Sequence, residues 1–241
     1  YEEEEADFVT KKTDTKRFTY LLGKNESCKT PALRLHDLST KKAEADIHTI
    51  QEAFSVEKLS KEFFEEYKVH YTRMVNYLIE TPNYRTEIFN GEDKSIRDFV
   101  KLTLGRLVFI QFLQKKRWMG VPATAAGWDS GDPHFLKHSF QNYVVKDLFY
   151  SHFLEPLFYE ALNLDGRPNQ VFAPTGTKVP YLNGGLFEKG KENTHLINFP
   201  PVLFEELFTF FDRYNFTIDE SDPKEQEVGI DPEMLGHIFE N

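Results

Sequence analysis

Few side chains in this 241-residue sequence stand at spacings that chemistry uses. His134 and His138 lie four apart, the separation at which one helical face can offer two imidazoles to one metal ion. Zinc needs further ligands, however, and Cys28 is the only thiol. The pair therefore reads as two partly exposed histidines at a helix end. Glu66-Tyr67-Lys68 has the E-x-K order in which a carboxylate and an ammonium converge on a catalytic Mg2+. It falls inside a helical pattern, where residues two apart point away from each other, so it reads as a solvated face. His152 sits on an apolar stripe and reads as a core histidine with one hydrogen bond. The sequence contains no glycine-rich phosphate loop, no H-E-x-x-H and no G-x-S-x-G. These residues supply no catalytic, cofactor-binding or metal-ligating set.

What remains is binding chemistry. Lys115-Lys116-Arg117, followed by Trp118, places three cations beside an aromatic ring, a combination suited to phosphate contact. The same residues also read as a cationic helix C-terminus above a buried Trp. Lys189 and Lys191 are the other cations expected to reach a duplex. Asn183-Gly184-Gly185 permits positive φ and close backbone approach. It would either expose amides to DNA or a neighbouring domain, or make a tight turn that lets Leu182, Leu186 and Phe187 enter the core. Arg106 lies in an otherwise apolar helix and must reach a carboxylate or carbonyls.

Charge restricts where such contacts can be. The net charge is -10, and residues 200–241 hold 11 acidic and 2 basic side chains, leaving the rest of the chain at about -1. Phosphate repels that acidic end. No uncharged apolar run approaches the ~18 residues of a membrane span, and no signal peptide opens the chain. One cysteine cannot form an internal disulfide, so a cytoplasmic location is the default. The chain starts at Tyr1 and stops ten residues past Asp231-Pro232, so it is expected to be a piece of a longer protein.

The elements that must position these residues read as a mainly α, bundle-like domain. A small N-terminal β-hairpin is expected within 6–22, and a long ordered loop over 163–199. A short helix after Pro31 should bury Leu33, Leu35 and Leu38. Ser55 is a suitable N-cap for a long helix, striped by Val56, Leu59, Phe63, Tyr67, Met74 and Leu78. Ser95 and Asp98 have capping-box spacing before a helix that is apolar nearly all round over 102–113, the expected centre of the core. Residues 134–162 carry a further stripe with Pro156 as a kink. Helix returns near Pro201. Residues 216–218 and 227–229 are expected to pair as short strands, and Asp231-Pro232 to start a last helix.

Two segments carry a resemblance. One is Val179-Pro180-Tyr181-Leu182-Asn183-Gly184-Gly185-Leu186-Phe187-Glu188. The other runs from Phe211-Asp212-Arg213-Tyr214-Asn215-Phe216-Thr217 to the end of the chain at 231–241. Together they resemble the region just upstream of the methyltransferase domain in Eco57I-like type IIG restriction-modification enzymes, which are adenine-specific DNA methyltransferases. Residues 104–120 resemble an earlier helix of the same enzymes, and 54–67 and 18–34 match more loosely. The resemblance implies an N-terminal β element or linker over 1–27 and a helical connector over 28–241. It implies double-stranded DNA as a partner through the parent protein, and a methyltransferase domain following in cis. S-adenosylmethionine, with Mg2+ where a nuclease is present, belongs to that parent. The family's cofactor motifs and N-P-P-Y loop follow the part matched here, so no catalytic residue carries over. Asn198-Phe199-Pro200-Pro201 holds similar residues in another order and reads as the start of a helix. Without the resemblance, a stand-alone helical protein-interaction module fits the same composition.

Overall fold

The computed structural model describes residues 17–24, 26–41, 46–182, 184–190, 193–217, 225–232 and 236. Its α-helices are α1 (Lys29–Thr40), α2 (Ile47–Ala53), α3 (Val56–Glu80), α4 (Asp93–Lys115), α5 (Phe135–Asn142) and α6 (Pro201–Phe211). The short strands are β1 (Arg17–Thr19), β2 (Val121–Pro122), β3 (Val171–Phe172), β4 (Thr177–Lys178) and β5 (Glu225–Glu227). The mainly α expectation holds.

α3 begins as its sequence dictates. Ser55 is extended and its Oγ accepts the Lys58 N–H at 3.1 Å. The buried residues Leu59, Phe63, Tyr67, Met74 and Leu78 follow the predicted stripe. α4 starts two residues before Ser95, so Ser95 is not its cap. Glu92 holds the cap position, Ser95 Oγ donates to the Glu92 carboxylate at 3.1 Å, and Arg85 Nε holds Asp93 at 2.8 Å. A carboxylate in the first turn also complements the helix dipole. α4 is buried continuously over 103–108, but Leu102 and Phe109 remain partly exposed.

The many phenylalanines form several groups of ring contacts within one core. Phe63 of α3 meets Phe210 at 4.9 Å and Tyr214 at 5.1 Å, and Phe216 reaches Phe112 of α4 at 5.4 Å. Phe149 stacks on Phe153 at 4.8 Å and contacts Phe140 of α5 and Phe204 of α6. Edge-on and tilted geometries predominate, as ring quadrupoles favour.

Residues 150–162 depart from the expected helix. Turns at Tyr150–Leu154 and Leu157–Leu162 are π-helical, with Pro156 between them. A wider turn shifts which side chains share a face. Phe149, Phe153 and Leu157 are buried, whereas His152 and Val145, expected on the same stripe, are exposed. His152 is therefore not a core histidine.

The 163–199 segment is not one loop. β3 and β4 form a hairpin that β2 extends into a three-stranded sheet, and 3-10 turns occupy Pro168–Gln170, Gly185–Phe187 and Thr194–Leu196. Arg167 organises its first half. The guanidinium donates to Gln170 O and Val179 O at 2.7 and 2.8 Å, and also to Ala161 O. This fixes Asn169 and Gln170, both left-handed at φ 51° and 54°.

At the N-terminal side, residues 17–22 are the described part of the expected hairpin, and Arg17–Thr19 is the strand among them. It pairs in parallel with Glu225–Glu227, and Val228 N–H continues the ladder to Thr19 O at 2.8 Å. Phe216 bridges Ile230, also in parallel, rather than 227–229. In α1 the inward residues are Pro31 and Arg34, not the leucines. Arg34 donates to Glu52 O and pairs with Glu62, both at 2.9 Å, while Leu33 and Leu35 face solvent. The helix expected from Asp231-Pro232 lies largely outside the described residues.

Candidate nucleic-acid interface

The basic cluster sits where α4 stops. Lys116 is the last right-handed residue, and Arg117 turns left-handed at φ 60°. Arg117 N–H bonds to Gln114 O at 2.9 Å and Trp118 N–H reaches Leu113 O at 3.1 Å, the bond pair of a Schellman ending. Glycine is the usual occupant of the left-handed position, and a side chain there costs about 1 kcal/mol. The chain then folds back on itself. Gly131 N–H donates to Arg117 O at 2.9 Å and Asp132 N–H to Met119 O at 2.8 Å. A Cβ on Gly131 would stand 2.2 Å from Arg117 O, so only glycine permits this approach.

The three cations differ in their partners. Lys115 pairs with Glu26, and both are mostly buried. Lys116 is exposed, and neither it nor Arg117 has a carboxylate partner among the described residues. Trp118, expected to be buried, is 41% exposed. The left-handed Arg117 directs the chain outward here, whereas Met119 beyond it is fully buried.

The second candidate region, Gly184–Lys189, is tied to the same helix. Arg106, 1% exposed, donates from Nε to Leu186 O (2.7 Å), from Nη2 to Glu188 O (2.8 Å) and from Nη1 to the Tyr159 hydroxyl (2.7 Å). Its guanidinium also lies 4.9 Å from the Tyr159 ring centre. Phe187 is buried against Phe109 at 5.9 Å, with Leu182 and Leu186 packed at the core's edge. Burial, and then the neighbouring Tyr159, push the Tyr150 phenol well above its ordinary value; Arg106 opposes the shift. Lys189 bonds Glu155 at 2.7 Å and leans on the Tyr159 ring.

Gly184 is extended at φ -158° and Gly185 begins a 3-10 turn, so neither uses the positive φ expected of them. Both are exposed with nothing within 4 Å of a built Cβ. Asn183 and Lys191 lie outside the described residues. Lys116 follows Phe109 by seven residues, two helical turns, so it stands on the side of α4 that carries the 185–187 turn, about 10 Å along the axis.

Sequence reasoning missed a polar cleft of about 230 Å³ beside the cluster. Lys24, Lys115, Gln111, His134 and Asp212 are among its lining residues. Asn215 builds its wall: its Oδ1 accepts the Ser27 N–H at 2.6 Å and its Nδ2 donates to Ser27 O at 3.2 Å. Lys137 engages Asp212, and His138 Nδ1 meets Asp132 at 2.6 Å. Asp132 is local, six residues before His138, whereas Asp212 comes from 75 residues beyond Lys137 and no local spacing signals it. Among the described residues no three His, Cys, Asp or Glu side chains converge to hold a metal ion. Glu66 of the E-x-K triplet pairs with Arg213 and accepts the Tyr214 hydroxyl at 3.1 Å, while Lys68 faces solvent. Asn198-Phe199-Pro200-Pro201 leads into α6, with Pro201 as its first residue.

The chain is 32% identical over 171 residues, 67% of its length, to a Methanocaldococcus jannaschii protein named "Putative type II restriction enzyme and methyltransferase". It is thus related to a restriction-modification protein, of which it spans 13% of the length. No family model matches the chain, and no solved structure matches it. No helix among the described residues is long and apolar enough to cross a membrane.

Proposed function

We propose that this chain is the helical connector of a type IIG-like restriction-modification enzyme, a DNA adenine-N6 methyltransferase of the cytoplasm, and that it positions the duplex without chemistry of its own. Residues 28–241 form the connector, 1–27 join it to an upstream region, and a methyltransferase domain follows in cis. The relationship to a restriction-modification protein supports the parent activity. The observation that carries the DNA role is the end of α4, where exposed Lys116 and partly exposed Arg117 have no carboxylate partner among the described residues, at a turn that Gly131 permits. The exposed backbone at Gly184 and Gly185 lies on the same side of α4 and offers a second contact, although the Gly184 N–H already donates to Leu182 O at 3.0 Å. Lys115 and Lys189 join only if they leave Glu26 and Glu155.

S-adenosylmethionine binds the parent, not this chain. In the cleft, Glu26 is taken up by Lys115 and Asp212 by Lys137, so neither carboxylate is left to meet a sulfonium cation. Its adenine and ribose also have no glycine-rich loop to meet in this sequence.

The decisive experiment is a fluorescence-anisotropy titration of short duplexes with the chain at low salt. Replacing Lys116 with Ala and Arg117 with Gly together should weaken binding to all sequences alike, because phosphate contacts carry no sequence information. Unchanged affinity in that double variant would overturn the reading. Calorimetry should show no micromolar S-adenosylmethionine binding. A stand-alone protein-interaction module has one observation in its favour, the exposed Leu21, Leu22, Leu33 and Leu35 near the N-terminal side. It predicts no duplex binding even by the wild-type chain.

A further inference from the structure

We infer that Trp118 is a stacking platform for an unpaired nucleobase, an inference that rests on the DNA-contacting reading of Lys116 and Arg117. The residues around Trp118 are pinned. Its own N–H bonds Leu113 O, Arg117 O accepts from Gly131, and Met119 O accepts from Asp132. Leu113, Met119 and Val121 are buried, so the neighbouring chain is firmly held while the indole stays 41% exposed. The other tryptophan, Trp128, is engaged by Lys178, whose Nζ lies 5.3 Å from its ring centre. Trp118 has no such cation and no aromatic neighbour among the described residues. A left-handed arginine costs stability that the hydrogen bonds of its turn offset, whereas the 41% exposure of the indole remains unused within the described residues.

The chemistry of the surroundings selects the occupant. An apolar protein partner would suit the indole but not the two cations that precede it in sequence, which have no carboxylate partner among the described residues. A nucleotide suits both, with its phosphate on Lys116 or Arg117 and its base on the ring. Bases within a duplex already stack on each other, so the ring is offered to a base that is single-stranded, bulged or turned out of the helix.

The test uses the full chain carrying Trp128→Phe, so that Trp118 is the sole indole, with three probes of related sequence: a single strand, its duplex, and the duplex with one bulged base. Stacking should quench Trp118 fluorescence with the single strand and the bulged duplex, and much less with the perfect duplex. In the native background, Trp118→Ala should lose roughly tenfold in affinity for the single strand. Its duplex affinity and salt dependence should not change. Trp118→Phe should recover part of the loss and Trp118→Leu none. DNA binding without quenching, or an equal loss on all three probes, overturns the stacking role while leaving the phosphate contacts in place. No DNA binding by the wild-type chain overturns both readings together.

Discussion

Arg106 holds together parts of the chain 80 residues apart, donating to Leu186 O and Glu188 O from the middle of α4. A buried guanidinium is tolerated because three acceptors meet its fork. Arg106→Met leaves two carbonyls and the Tyr159 hydroxyl without that donor. It should cost about 3 kcal/mol or more in urea denaturation. Arg106→Lys should rescue little, since an ammonium cannot span the three positions. His70 illustrates the opposite case, a titratable group whose charge the fold opposes. It lies half-buried against Phe210 at 5.0 Å, in a groove shared with Lys29, Glu205, Glu206 and Arg213. Burial first, and Arg73 second, hold its pKa below the ordinary 6.5. The unfolded chain therefore takes up the proton first. This contribution to stability is complete above pH 6.5, the ordinary value, and is lost as pH falls from there through the lower value of the folded state. His70→Phe should flatten part of the decline in denaturation midpoint between about pH 7 and 5.

Among the elements, α4 and its ending make the sharpest predictions. Leu107 is fully buried, whereas Phe109 is partly exposed. Leu107→Ala should cost about 3–5 kcal/mol, and Phe109→Ala clearly less despite its larger side chain. Arg117→Gly should stabilise the fold by about 1 kcal/mol by relieving the left-handed turn. Gly131→Ala should destabilise it by more than that, because the added carbon meets backbone. Thermal melts of the two variants should shift in opposite directions. The regular helices were legible in the sequence because Ser55 and the α3 stripe obey local rules, a cap and a period of 3.6. The π-helical turns were not, since a wider turn breaks the period used to read them and turns His152 outward. The site was legible in part. The three cations were visible as a cluster, but the capture of Lys115 by Glu26, 89 residues away, depends on tertiary folding. For the same reason Trp118 was assigned to the core, although one left-handed residue sends it to the surface.

On the scale of the whole molecule, charge sets the strength of any duplex contact. With a net charge of -10, and two cations at the end of α4 that have no carboxylate partner among the described residues, the chain should bind DNA weakly. Each phosphate neutralised contributes about -0.9 to the log–log salt slope. A slope near -2 would fit Lys116 and Arg117 acting alone. The Lys116→Ala, Arg117→Gly variant should bring it close to zero. A slope much steeper than this would show that Lys115 and Lys189 have exchanged their carboxylates for DNA.

The parallel pairing of Arg17–Thr19 with Glu225–Glu227 also has a mechanical side. Strands running the same way put the incoming end of one and the outgoing end of the other at opposite ends of the ribbon, about 10 Å apart for three residues. A pull applied at those two ends would load this ribbon in shear, with its hydrogen bonds sharing the force. From the downstream side the load would first meet Val228 and Ile230, both buried, and Ile230 is tied to 215–217, so the aromatic core around Phe216 would share it.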